Sequence, residues 1–362
     1  MAFSLFKKKS KATKKDSNSR YHQLTIRDVV PVAKDAVNLI FENPGPDFNY
    51  QPGQFITIIQ EIEGKKIRRA YSLCTSPFLD EYPGVTVKRV PQGAMSNFIN
   101  DHFGQGQTIE VMEPMGMFTT EYDPSAMRHA IFFGGGSGIT PLYSLIRSML
   151  EKEPNSTATL VYGNRSSEYI IFKNELSDLQ SEYSDRFNVI HILEEGEGDH
   201  SGRPTAALIQ KIALEEGANN DDSEVYICGP QPMMDIVEEG LKMAQVPAER
   251  IRMESFEAGK TSPQEIIDNS DASSEVNIVL DGESYSITVA KGRPILETGL
   301  ENGLDMPYSC QSGLCTACRG KCLEGEISVD EAEGLTQDEL DEGYALLCVG
   351  KALTDKVKVE IG

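Results

Sequence analysis

Cys310-Gln311-Ser312-Gly313-Leu314-Cys315-Thr316-Ala317-Cys318, answered after 29 intervening residues by Cys348, is the stretch from which the rest of the chain is best read. The spacing C-x4-C-x2-C with a distant fourth cysteine is that of a plant-type [2Fe–2S] cluster, held by four thiolates. A loop wrapped around such a cluster needs glycine and small side chains between its ligands, and Ser309, Ser312, Gly313, Thr316 and Ala317 supply them. The alternative is a four-thiolate zinc site, which usually shows two short cysteine pairs instead of a four-residue gap. Three further cysteines, Cys74, Cys228 and Cys322, fall outside the pattern. An odd total of seven with no export signal argues for metal ligation over a disulfide framework.

Outward from this loop the pattern divides the chain. Val276–Leu280 and Tyr285–Val289 flank Asp281-Gly282 as a hairpin, and Ile295–Gly303 has the apolar spacing of a helix, so 276–362 is one domain. Residues 258–275 are polar, without periodicity, and predict a flexible linker. Across 123–257 strands alternate with helices: strands over His129–Phe133, Ala158–Tyr162, Phe187–Leu193 and Glu224–Cys228, helices over Pro141–Leu150, Ile171–Tyr183, Thr205–Ala213 and Gln231–Ala244. Unbroken apolar strands in that alternation predict an α/β domain with a buried parallel sheet. Residues 21–122 read as short strands, Gln23–Val29, Ala36–Phe41, Gln54–Ile59, Ala70–Leu73, Gly84–Val90 and Thr108–Met112, with one helix over Ser96–Phe103, which fits a small antiparallel β-barrel.

Charge sets limits on function. A net charge of −22 excludes non-specific nucleic-acid binding as a main role. Residues 1–20 nevertheless carry seven basic side chains against one acidic, whereas 276–362 carry seven against sixteen. The basic start reads as a solubilising tail or as a weak peripheral tether to an anionic membrane or a partner through Phe3, Leu5, Phe6 and the lysines. Its apolar stretch is too short for a secretory signal and no apolar run of 18 residues follows, so a cytoplasmic address with no transmembrane segment is expected. The acidic run Asp330, Glu331, Glu333, Asp338, Glu339, Asp341 and Glu342 is either a solvated face or a surface that steers toward a basic partner.

Two further constellations carry chemistry. Arg69-Ala70-Tyr71-Ser72 offers a guanidinium for a phosphate, an aromatic face for a flavin ring and a hydroxyl for its reactive nitrogen. Gly93-Ala94-Met95-Ser96 then leads a strand into a helix whose free N–H groups suit a pyrophosphate, which favours FAD over FMN. Phe132 to Pro141 is a buried strand entering a glycine turn, Gly136-Ser137-Gly138-Ile139-Thr140-Pro141, in the pattern G-x-G-x-x-P, a seat for a dinucleotide diphosphate. Cys228-Gly229-Pro230 ends a later strand of the same sheet, where such sheets bind ligands, and Cys228 would face the nicotinamide or stay a small core thiol. Arg165 and Ser166, at another strand tip, suit the 2′-phosphate of NADPH better than the free hydroxyl of NADH.

Together these motifs resemble the ferredoxin-NADP⁺ reductase superfamily joined to a C-terminal plant-type ferredoxin, the arrangement of oxygenase reductases, with the reductases of phenylacetyl-CoA epoxidase systems as the nearest likeness. The resemblance spans about residues 21–362 and rests on Arg69–Ser72, Gly136–Pro141, Cys228-Gly229-Pro230, Glu254-Ser255-Phe256 and the four cluster cysteines. It implies a flavin-binding barrel, a nicotinamide domain and a β-grasp ferredoxin domain. It also implies that Glu254 and Phe256 approach the flavin, that Ser72 orients the reacting nitrogen during hydride transfer, and that a terminal oxygenase, epoxidase or desaturase takes the electrons. A redox-sensing module with the same cofactors is the alternative. An oxygenase with its own substrate site lacks a ligand set, because the one E-x-x-H match, Glu197 to His200, lies in a glycine-rich loop.

Overall fold

The computed structural model describes residues 20–256, 273–280 and 282–361, so the basic start and most of the expected linker lie outside the described residues. The first unit holds strands β1 Tyr21–Ala33, β2 Ala36–Phe41, β3 Phe55–Ile62, β4 Lys65–Ser72, β5 Gly84–Lys88 and β6 Thr108–Met115, with helix α1 Ala94–His102 before the last. Their order is β4-β3-β6-β1-β2-β5, every neighbour antiparallel. β1 runs longer than its apolar pattern predicts because register shifts at Ile26/Asp28 and Pro31/Ala33 bend it, so that its first half pairs with β6 and its second with β2. That bend curls the sheet into a half-barrel around Leu24, Leu39, Ile56, Val85 and Ile99.

The second unit alternates as its sequence predicts: β7 His129–Gly135, α2 Ile139–Lys152, β8 Thr157–Asn164, α3 Lys173–Glu182, β9 Phe187–Leu193, β10 His200–Ser201, α4 Ala206–Glu215, β11 Ser223–Gly229, α5 Gln231–Met243 and β12 Ile251–Ser255. The sheet order is β10-β9-β8-β7-β11-β12 and all pairs are parallel. Two details depart from the pattern. Helix α3 starts at Lys173 and not Ile171, because Phe172 takes a left-handed conformation at φ 61° that no helix continues through. β12 has no apolar run; it is an edge strand, half-exposed along its length, and backbone pairing with β11 is what orders it.

In the third unit β13 Ser273–Leu280, β14 Glu283–Ala290, β15 Arg319–Glu324, β16 Tyr344–Leu346 and β17 Lys356–Ile361 form a mixed sheet, with α6 Ile295–Glu301 packed on it and the short α7 Gln337–Asp341 nearby. β13 and β17 run parallel and the other pairs antiparallel, the β-grasp arrangement expected. Residues 273–275, placed in the linker by composition, belong to strand β13. Among the described residues no helix is long and apolar enough to cross a membrane.

Candidate functional site

The three units meet at a cavity of about 690 Å³. Its wall takes Arg69 and Ser72 from the end of β4, Gly116 to Phe118 from the segment after β6, Glu254 to Phe256 from the end of β12, and Cys310 and Gln311 from the cysteine loop. Strand alternation puts Ser72 on the face of β4 that also buries Arg68 and leaves Arg69 on the opposite face, while the half-buried Tyr71 packs against the barrel core. Ser72 Oγ is shut from solvent with no hydrogen-bond partner. Across the cavity Glu254 Oε2 is equally enclosed and equally unpaired. Burial, and then the nearby Cys310 sulfur, pushes the Glu254 carboxyl up to about 8. Phe256 is an exposed aromatic on the rim, and Arg69 is exposed with one guanidinium N–H on the Arg68 carbonyl at 2.7 Å.

At the start of α1, Gly93 is the cap residue, and a side chain there would meet Ser96 Oγ at 2.6 Å. Ser96 Oγ in turn accepts the Val90 N–H at 3.1 Å, so it shapes the turn. Met95 is buried in the barrel core, which leaves its backbone N–H as its only group for a phosphate.

The second glycine turn crosses from β7 to α2. Gly136 has φ +52°, Thr140 Oγ1 donates to the Ser137 carbonyl at 2.9 Å, and a Cβ on Gly138 would collide with the Cys228 carbonyl. No side chain caps the first turn of α2, whose leading Ile139 N–H is bonded to the Gly136 and Ser137 carbonyls. From the first unit, Lys88 Nζ stands over this turn, 3.3 Å from where a Gly136 Cβ would lie. Cys228 is fully buried in the core between Gly134 of β7 and Glu254 of β12, and burial raises its thiol well above the ordinary range. It is not among the cavity-lining residues, whereas its strand neighbour Glu254 is. A Gly229 Cβ would press on the Met233 sulfur at 3.0 Å. Exposed Arg165 lies 5.7 Å from the Tyr169 ring centre, beside Ser166 and within the field of Glu195 and Glu194.

Cys315, Cys318 and Cys348 are buried and Cys310 is half-buried. Hydrogen bonding from the Cys315 thiol first, then from Cys348, draws the Cys310 thiol far below its usual range, and Cys318 bears likewise on Cys348. The Ser312 N–H also points at Cys310 Sγ, 3.4 Å away. Gly313, at φ +78°, has the Glu331 carbonyl where a Cβ would stand. Among the described residues no group of three or more His, Cys, Asp or Glu side chains is placed to hold a metal ion.

Three family models match in series: an oxidoreductase FAD-binding domain over residues 23–120, an oxidoreductase NAD-binding domain over 132–239 and a 2Fe-2S iron-sulfur cluster binding domain over 278–353. The ferredoxin reductase component of 3-ketosteroid-9-alpha-monooxygenase from Rhodococcus rhodochrous is 35% identical, covering 94% of this chain and 97% of its own. One component of the 1,2-phenylacetyl-CoA epoxidase of Escherichia coli K12 is 34% identical over the same shares of the two chains. The chain belongs to the family of oxygenase reductase components. The solved structure of phthalate dioxygenase reductase covers 94% of this chain and 98% of its own at 26% identity and a TM-score of 0.58. This is an oxidoreductase with FAD-binding, NAD-binding and [2Fe–2S] domains, which supports FAD as its flavin.

The residues present fit those groups. An enclosed, unpaired hydroxyl and carboxyl oxygen each cost about 1–3 kcal/mol, and a flavin ring edge in the cavity would give Ser72 Oγ its missing partner. Two glycine turns offer uncapped helix N-termini to phosphates. Four thiols at the plant-type spacing, with a backbone N–H aimed at one, are chemically the donor set that such a cluster needs. The cavity also takes Phe55, Gly116, Met117, Phe118 and Arg252, none of which carries a local sequence signal. Gly116 is at φ +116°, with the Phe55 ring 3.1 Å from where its Cβ would stand.

Proposed function

We propose that this chain takes a hydride from NADPH in preference to NADH, onto FAD whose ring lies in the cavity between Ser72 and Phe256. It then passes single electrons through a cluster on Cys310, Cys315, Cys318 and Cys348 to a terminal oxygenase, epoxidase or desaturase. A flavin, when bound, accepts an electron pair and releases it singly, and a [2Fe–2S] cluster stores one electron. The observation that carries the reading is that Ser72 and Cys310 line one cavity, so donor and acceptor groups are next to each other.

In this reading Arg69 holds flavin phosphate, Tyr71 supports the ring and Ser72 orients its reactive nitrogen. Gly93, Met95 and Ser96 seat the pyrophosphate through the α1 N-terminus, and Gly136, Ser137, Gly138 and Thr140 seat the dinucleotide on α2. Gly229 leaves room for the nicotinamide beside Cys228. Glu254, protonated at neutral pH by its enclosure, would donate a hydrogen bond into the cavity, and Phe256 on its rim would cover a bound flavin ring. Arg165 and Ser166 choose the 2′-phosphate. NADH is the second reading, favoured by Glu194 and Glu195 beside Arg165, since carboxylates suit a ribose diol. The acceptor class follows the monooxygenase and epoxidase systems named for the relatives.

Anaerobic titration tests the reading. NADPH should bleach the flavin at lower concentration than NADH, and Arg165→Ala should erase that difference. Ser72→Ala should slow bleaching about five- to tenfold, the worth of one hydrogen bond of about 1 kcal/mol. Flavin that neither donor bleaches would overturn it.

A further inference from the structure

Arg68 is the arginine of β4 that the fold hides: its side chain is 3% exposed, whereas its neighbour Arg69 is open to solvent. Its Nη2 donates to Asp305 Oδ1 at 2.7 Å, its guanidinium lies 5.3 Å from the centre of the Tyr308 ring, and its Nε is buried without a partner. Lys66, on the same face of β4, donates to the other oxygen of Asp305 at 2.9 Å. Next to Tyr308 in the chain, Ser309 Oγ accepts from the buried Thr57 of β3 at 2.6 Å. Asp305, Tyr308 and Ser309 all belong to the third unit, on the segment that runs directly into Cys310.

A buried guanidinium with no carboxylate is strongly unfavourable, whereas the same group facing water costs nothing. Among the described residues the only carboxylate bonded to Arg68 comes from the third unit. Burial of Arg68 therefore depends on the cluster segment sitting where it does. The strand that carries the latch also carries the flavin motif: Lys66 and Arg68 precede Ser72 on β4, and Ser72 pairs across to Phe55, which packs against Cys315 and Ala317. A shift at Asp305 is thus passed along one rigid pair of strands to the gap between Ser72 and the cysteines.

We propose that Arg68, Lys66 and Asp305 form an ionic latch that positions the cluster loop against β3 and β4 for electron transfer from flavin to cluster. They are positioning residues, since none of them touches the reacting groups, and the inference rests on the flavin and cluster seats proposed above.

The test uses holoenzyme carrying both groups, with Asp305→Lys, Asp305→Ala and Asp305→Glu, all at a half-exposed site that tolerates substitution. After rapid anaerobic mixing with NADPH, flavin bleaching and cluster reduction are followed separately. Bleaching should stay within about twofold of wild type in all three, while cluster reduction slows about tenfold or more in Asp305→Lys, less in Asp305→Ala, and recovers in Asp305→Glu. Small-angle scattering of the oxidised proteins gives a second readout: the radius of gyration should grow in Asp305→Lys and not in Asp305→Glu. Unchanged cluster reduction and scattering in Asp305→Lys would overturn the latch, and so would equal slowing of both steps, because the latch acts only after hydride transfer. Wild-type flavin that does not bleach would instead bring down the underlying reading of the site.

Discussion

The nucleotide unit and the cluster unit both close on the barrel, by different physics. Helix α2 is sewn to the loop after β4: Ser144 Oγ donates to the Thr75 carbonyl at 2.6 Å, Ser148 Oγ to Ser76 Oγ at 2.8 Å, and Arg147 forks onto Asp80 at 2.7 and 3.1 Å. Ala36, Cys74 and Phe118 of the barrel lie in the same core cluster as Ile139, Leu142 and Tyr162. The cluster unit instead rests on a patch of six buried side chains, Phe55, Ile59, Met112 and Met115 against Cys315 and Ala317, with one hydrogen bond and one ionic latch beside it. A shared core fixes the dinucleotide turn relative to the flavin seat. A small contact, an apolar patch edged by one hydrogen bond and an ionic latch, docks a module that keeps its own core, Val276, Ile278, Leu346 and Val359 among it.

The sharpest way to break this contrast is at Glu153, which is fully buried and grips Arg128 with both oxygens, at 2.7 and 3.0 Å. Arg128 also bonds Glu224 of β11 at 2.9 Å and reaches Thr120 Oγ1 and the Glu121 carbonyl, each at 3.1 Å, tying the end of the barrel chain to the parallel sheet. Glu153→Ala removes the bidentate partner and leaves that cation to Glu224 alone, which should cost about 1.5–3 kcal/mol. Calorimetry should show the flavin and nucleotide units losing stability together, in one transition, with the [2Fe–2S] absorbance lost in a separate step. Separate melting of the first two units would refute the shared core.

What sequence could convey follows the same division. The six barrel strands, the alternating helices and strands and the cysteine loop were legible because each depends on local periodicity or spacing. β12 was not, since an edge strand with exposed Arg252 and Met253 shows no alternation, although it delivers Glu254 to the cavity. β15, α7 and β16 were missed for a related reason, being short or directly beside the cysteine loop; β17 was missed although Lys356–Ile361 alternates polar and apolar residues as a half-buried strand does. Residues 273–275 looked like linker because their serines say nothing of the antiparallel partner β14, whose Ala290 and Val289 pair with Ser273 and Ser274. The meeting of Ser72 with Cys310, and the pairing of Arg68 with Asp305, depend on packing between units that no single segment records.

The module's seam should respond in its own way to Thr57→Val, which keeps the shape and removes the hydroxyl that meets Ser309. The loss should be about 1 kcal/mol, felt as faster hydrogen exchange across 305–318. The common transition of the other two units should hardly move. If that transition fell as far as it does in Glu153→Ala, the two seams would not differ in kind.

Acid gives the smallest effect. His129, at the start of β7, bonds Thr157 Oγ1 through Nδ1 at 2.6 Å, while its Nε2 is buried without a hydrogen bond and Glu216 stands 3.9 Å away. Burial lowers its pKa, outweighing Glu216 and Asp222, and burial lowers that of His191 likewise against Asp199. The unfolded chain takes up these protons from about pH 6.5, before the folded chain does. The stability they contribute is therefore complete above that pH and is lost as pH falls through the lower folded values. All five histidines precede residue 201, so this slope belongs to the flavin and nucleotide units alone. Between pH 7.5 and 5.5 their shared Tm should drop by a few degrees, with His129→Gln flattening part of the drop. The cluster unit has no histidine to charge, and a histidine-range slope in its own melting would mean that it shares the core after all.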